Sequence, residues 1–256
     1  MNEQILIILV PLFFVVSFFY SSVGFAGGSS YIAILVLTGV SLFAIPPVAL
    51  ALNIVVASIA LFNYWRAGHV SLRISIPLLI SVPFAFIGGS TLLPEKTLVL
   101  IFVIALFSAS TMLLLSGNQI KIRQEKIRRL NLSLSWLSLI TLPLGGVLGT
   151  VSGLVGIGGG IWLSPILILT GLANPKTAAA SASLFILTNS ISGLVAHSIT
   201  KEVDFALILP LAFVVVLGGF LGSRLGAFKL GHEKLIFIIG IIVAVAGINL
   251  ATRLFK

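Results

Sequence analysis

The sequence predicts an all-α polytopic membrane protein made of two homologous repeats, and three observations carry that expectation. Of 256 residues, 59% are hydrophobic and only 8% charged, with a mean hydropathy of +1.25. A soluble domain has roughly 25% charged residues, so too few are present here to cover a water-facing surface. Apolar runs recur along nearly the whole chain, and at about 20 residues per crossing they leave room for about eight spans. The two halves also carry the same glycine pattern 132 positions apart.

The first apolar run, about 5–23, follows Asn2-Glu3-Gln4 rather than a basic segment, and no small-residue cleavage site stands out after it. It therefore reads as a retained span, not a signal peptide. It ends in Gly24-Phe25-Ala26-Gly27-Gly28, after which runs occupy about 29–43, 46–65, 72–93 and 97–115. The polar stretch 116–131 carries Lys121, Arg123, Lys126, Arg128 and Arg129 against Glu125. Short basic connections stay on the cytoplasmic side, which makes it the predicted cytoplasmic loop. Runs resume at about 132–155, 160–172, 177–199, 204–224 and 234–252. The resulting division is a first transmembrane repeat at 1–115, the loop at 116–131 and a second repeat at 132–256.

The repeat rests on specific matches. Gly24-Phe25-Ala26-Gly27-Gly28 falls on Gly156-Ile157-Gly158-Gly159-Gly160, Ile34-Leu35 on Ile166-Leu167, and Thr38-Gly39 on Thr170-Gly171. With small gaps, Pro77 pairs with Pro210 and Gly88-Gly89 with Gly218-Gly219. Each repeat thus holds about four spanning helices and begins with a Gly-broken helix and a short piece. Fifteen helical residues rise about 22 Å, less than the ~30 Å hydrocarbon core, so 29–43 and 160–172 are predicted as half-helices or re-entrant segments. Short, glycine-interrupted segments at matching places point to a transporter site near the midplane. The inverted arrangement is preferred over the parallel one because it lets two equivalent half-helices meet head-on.

Candidate binding residues follow from this pattern. Amides at a helix start lack intrahelical partners and sit at the positive end of the dipole. Glycine permits the turn and lets a ligand approach the backbone. Gly24, Gly27, Gly28, Ser29 and Ser30 in the first break, with Gly156, Gly158, Gly159 and Gly160 in the second, are therefore expected to cradle an anion; close helix packing through small residues is the competing reading. Ser29 and Ser30 are expected to add hydroxyl donors. Asn53 and Asn189 lie deep in their runs and need a partner or a ligand, and Thr188 shares the polar face of 177–199. His197 is a candidate proton-linked gate, with packing at the end of its span as the stronger alternative. His69 and His232 have no evident role. Trp65 and Trp136 fall near span ends, as interface anchors do.

Absences narrow the chemistry. With no cysteine, disulfides, thiolate metal sites and cysteine nucleophiles are excluded. All six acids (Glu3, Glu95, Glu125, Glu202, Asp204 and Glu233) lie in a terminus, a loop or a helix end, which argues against carboxylate-based cation coupling. No paired carboxylates or clustered histidines suggest an enzyme, a metal or a cofactor. The net charge of +9 sits mainly in loops beside apolar runs, a pattern for topology and anionic headgroups rather than nucleic acid.

These motifs resemble the TauE/SafE (sulfite exporter) permeases. The stretch Gly153-Leu154-Val155-Gly156-Ile157-Gly158-Gly159-Gly160 with Leu163-Ser164-Pro165 looks like that family's second-repeat signature. Thr177 to His197 is similar to its following helix. The resemblance implies a multi-pass permease of a prokaryotic plasma membrane moving a small sulfur-containing anion such as sulfite, a sulfonate or sulfoacetate. The expected partners are that anion, the lipid bilayer and a second copy of the chain as a homodimer. A non-transporting assembly factor and a passive anion channel are the alternatives.

Overall fold

A computed structural model describes residues 3–123, 134–200, 203–229 and scattered positions between 241 and 252. Among them all regular structure is helical: α1 (Glu3–Ser21), α2 (Gly28–Leu37), α3 (Ile45–Arg66), α4 (Leu72–Leu78), α5 (Ser81–Ser90), α6 (Glu95–Arg123), α7 (Leu134–Val155), α8 (Gly160–Leu169), α9 (Pro175–Thr200) and α10 (Phe205–Phe228). Five segments are long and apolar enough to cross a membrane: α3, α9, α10, the first part of α6, and α4 with α5 taken together. Large apolar side chains face outward, as on α10, where Leu209 is 67% and Phe213 73% exposed. That suits lipid as the surrounding solvent.

The two expected short pieces are α2 and α8, each of 10 residues, about 15 Å long. The run 72–93 holds one of the candidate spans, Leu72–Ser90, whose helix breaks at Leu79–Ile80 between α4 and α5. The ring of Pro83 has no N–H to give and crowds the carbonyl four residues back, that of Leu79. The loop expected at 116–131 is helical as far as Arg123, because α6 runs on past its apolar part. Residues 124–133, His232 and most of the run 234–252 lie outside the described residues, as does the Trp136 side chain.

Helix pairing depends on glycines four residues apart, which form one flat stripe on a helix and let backbones approach. On α10, Gly218, Gly222 and Gly226 press against the carbonyls of Phe14 and Phe18 of α1 and of Ser22 just after it. On α7, Gly145, Gly149 and Gly153 press against Ile80, Ser81 and Ala85 at the start of α5. Contact positions rise together in both pairs, so each pair runs parallel.

At the centre α3 and α9 run antiparallel. Leu50 lies 3.2 Å from the Cβ position of Gly193, while Tyr64 clusters with Ala179 at the other end. Alongside α10, α3 runs parallel: Val56 faces Gly219, and Asn63 Nδ2 donates to Ser223 Oγ at 2.8 Å. Against the segment of α4 and α5, α9 also runs parallel: Ser75 of α4 meets Ser181 at 3.1 Å, and Ser192 Oγ donates to Val82 O of α5 at 2.7 Å.

Candidate functional site

The two glycine breaks share their backbone at three corresponding pairs and differ at a fourth, where Gly158 takes φ of 84° and Ala26 is not left-handed. Gly24 and Gly156 take φ of 81° and 86°, the N-caps Gly27 and Gly159 take 110° and 74°, and Gly39 and Gly171 take 79° and 74° after the two short helices. Each pair is 132 positions apart. This left-handed region costs other residues roughly 1–2 kcal/mol, which is why glycine stands at all six. Both short helices end at a threonine that bonds its own last turn: Thr38 Oγ1 to Ile34 O at 3.1 Å, and Thr170 Oγ1 to Ile166 O at 2.6 Å.

Neither short helix has a side-chain cap. The first backbone bond of α2 runs from Tyr31 N–H to Gly27 O at 2.9 Å, and α8 begins with Trp162 and Leu163 N–H on Gly159 O, both at 3.3 Å. The amides of Gly28, Ser29 and Ser30, and those of Gly160 and Ile161, precede these bonds. Residues 20–33 and 152–165 are all buried. The buried polar side chains of the described residues include no Asp, Glu, Lys or Arg, so the helix dipoles are the main positive charge there.

Asn53, near the middle of α3, joins the two breaks. Its Nδ2 donates to Gly156 O at 3.0 Å. A methyl group added at Gly28 would lie 2.6 Å from that nitrogen, 2.8 Å from Gly156 O and 2.9 Å from Ile157 O; one added at Gly158 would lie 3.1 Å from the same nitrogen. The first residue of α2 and the residue before the N-cap of α8 therefore both lie against one side chain. With Nδ2 assigned by its carbonyl partner, Asn53 Oδ1 is left buried without a hydrogen bond.

A reciprocal bond comes from the other half: Ser183 Oγ on α9 donates to Gly24 O at 3.0 Å. Gly24 packs on Ala179, and Gly156 on Pro46. Nothing in the sequence singled out Ser183. Its only signal was its spacing, 159 positions from Gly24 against 103 between Asn53 and Gly156 in the opposite direction, which means nothing until the helices are placed.

The other expected residues divide into two groups. Asn189 lies one turn beyond Ile186, which contacts Gly158 and Gly160, so it shares the face of α9 turned to the second break. Its Nδ2 bonds Phe185 O at 2.8 Å, and its Oδ1 is buried without a partner. Thr188 is not brought to the break in the same way: half-buried, its hydroxyl bonds Leu184 O of its own helix at 3.0 Å. The hydroxyls of Ser29 and Ser30 are within 3.1 Å and 2.6 Å of Tyr20 Oη, so they hold α1 against α2. His197 is fully buried, and its Nε2 donates to Gly153 O at 2.9 Å; this tethers the end of α7 just before the second break. His69 and Lys176 meet outside this region, on Ala227 O at 3.2 Å and 3.1 Å.

The family model described as Sulfite exporter TauE/SafE matches residues 9–250. A protein of Sinorhizobium fredii named Probable membrane transporter protein y4hK is 32% identical over 249 residues, covering 93% of this chain and 95% of that one. Bacillus subtilis YunE, also named a probable membrane transporter protein, is 30% identical over 116 residues, 45% of this chain and 42% of its own. The Arabidopsis thaliana protein named Sulfite exporter TauE/SafE family protein 1 is 34% identical over 122 residues, 44% of this chain and 26% of its own. No solved structure matches the chain. With residues 9–250 matched and the paired glycine breaks in place, the chain belongs to the TauE/SafE sulfite exporter family of multi-pass membrane proteins.

Proposed function

We propose that the chain is a secondary transporter that carries a small, sulfur-containing oxyanion such as sulfite, a sulfonate or sulfoacetate, and that the anion binds where α2 and α8 start. One observation carries the reading: two uncapped helix N-termini converge on Asn53 in a buried region that holds no charged side chain. Backbone amides and dipoles at such a place favour an anion without a fixed counter-charge. The substrate class rests on the family description and on the printed name of the Arabidopsis relative.

Alternating access is the proposed mechanism, and inverted repeats are its framework. The antiparallel course of α3 and α9, the equivalent helices of the two halves, supports inversion. So does the cross-pairing of α1 with α10 and α7 with α5. The complete burial of both breaks supports a carrier that opens to one side at a time over a standing pore. The proposed location is a prokaryotic plasma membrane, with the basic connection after α6 on the cytoplasmic side.

Uptake into proteoliposomes with sulfite and a sulfonate panel tests the reading. Saturable uptake, reduced at least tenfold by Gly28→Val and by Gly159→Val, is the expected result. No transport of any of these anions, with binding unaffected by either substitution, overturns it.

A further inference from the structure

The proposed site contains more than donors. At the start of α2, beside the amides, lie the carbonyls of Gly156 and Ile157 and the side-chain amide of Asn53, whose Oδ1 is buried without a hydrogen bond. Asn189 Oδ1 adds a second unpartnered acceptor on the adjoining face of α9. A fully deprotonated oxyanion presents acceptors only. It would satisfy the amides and leave Asn53 Oδ1 facing negative oxygen with no hydrogen between them, and a buried acceptor left unpaired is costly.

We infer that the site selects an oxyanion carrying one proton: a monoanion whose negative oxygens take the amides of α2 and α8 and whose own O–H donates to Asn53 Oδ1. This rests on the anion-carrier reading above and sharpens its substrate class. Hydrogen sulfite fits, whereas sulfite dianion and a sulfonate lack the donor. Carrying the monoanion also moves one proton with each sulfite, so a pH gradient drives the flux although no carboxylate is buried among the described residues. The proton stays on the substrate oxygen through the crossing and dissociates in the water beyond. A sodium ion is the other species that neutral oxygens can hold, but the positive end of α2 opposes a cation at this point.

Equilibrium binding of sulfite and of methanesulfonate to the purified full-length protein decides the matter. It is followed across the pH range in which sulfite takes up its first proton, in sodium and in a sodium-free buffer. Among the described residues, the buried titratable side chains around the site include His197 on α9, bonded to Gly153 O, and Tyr20 and Tyr31 on α1 and α2. The methanesulfonate arm reports their titration separately, since that ligand stays in one form.

Expected are sulfite affinity that rises as the monoanion replaces the dianion, and methanesulfonate binding about 10- to 100-fold weaker and flat with pH, with no need for sodium. Asn53→Leu should then level the two ligands. If that variant does not fold, the wild-type comparison stands alone. Equal affinities with no pH trend, or strict sodium dependence, overturn the inference and leave the anion-carrier reading intact. Binding of neither ligand at any pH overturns both.

Discussion

Asn53 Nδ2 donates to the carbonyl of Gly156 at 3.0 Å, across 103 positions of sequence. Ser183 Oγ returns a bond of the same length to Gly24 O, so each half of the chain closes the glycine break of the other. Asn53→Ala leaves a buried carbonyl unpaired and should cost about 1–3 kcal/mol, read as a lower melting temperature in detergent. Sulfite uptake should fall at least tenfold, because the side chain also faces both helix starts. Ser183→Ala should destabilise within the same range and keep most uptake, since among the described residues its hydroxyl bonds Gly24 O and Ala179 O.

Glycines with positive φ separate backbone strain from a crowded site. Gly39 and Gly171 have nothing within 4 Å of a Cβ position, whereas Cβ on Gly27 would sit 2.8 Å from Tyr31 Cζ. Gly39→Ala and Gly171→Ala should each cost about 1–2 kcal/mol and leave transport near normal. Gly27→Ala carries the same strain and also displaces Tyr31 from the mouth of α2, so its uptake should fall well beyond its loss of stability. Melting curves and initial rates on the same preparations check the contrast.

Neighbouring glycines of α7 should differ sharply. A Cβ at Gly153 collides with the carbonyl of Ala85, while at Gly146 its nearest atom is Phe84 Cε1 at an ordinary 3.6 Å. Gly153→Ala should therefore prevent a monodisperse elution profile, and Gly146→Ala should be tolerated.

Inversion can be read from single cysteines, because the natural chain has none. Ser41, between α2 and α3, and Asn174, between α8 and α9, are both exposed. An impermeant maleimide added to whole cells should label only one of Ser41→Cys and Asn174→Cys. Labelling of both, or of both only after lysis, speaks for parallel repeats.

What the residues disclosed in advance depended on how local it was. A glycine run with a short apolar piece behind it breaks a helix whatever surrounds it, so α2, α8 and the 132-residue correspondence were legible. Asn53 stood out because a lone amide deep in an apolar run needs a partner. Its partner did not stand out, and neither did Ser183, because such bonds depend on the register of helices far apart in sequence. The stripes Gly145/Gly149/Gly153 and Gly218/Gly222/Gly226 were present in the sequence but unread, since small residues at four-residue spacing gain meaning only once a facing helix is known. The extension of α6 to Arg123 was hidden by its own charge, which in a polar helix end looks the same as in a loop.

The most direct test of the central claim is a structure with selenite in place of sulfite, located by the anomalous scattering of selenium. A peak within hydrogen-bonding reach of the amides at the start of α2 and of Asn53 is the expected result. A peak confined to the basic helix ends near Lys176 and Arg224, or none in protein shown to transport sulfite, contradicts the account.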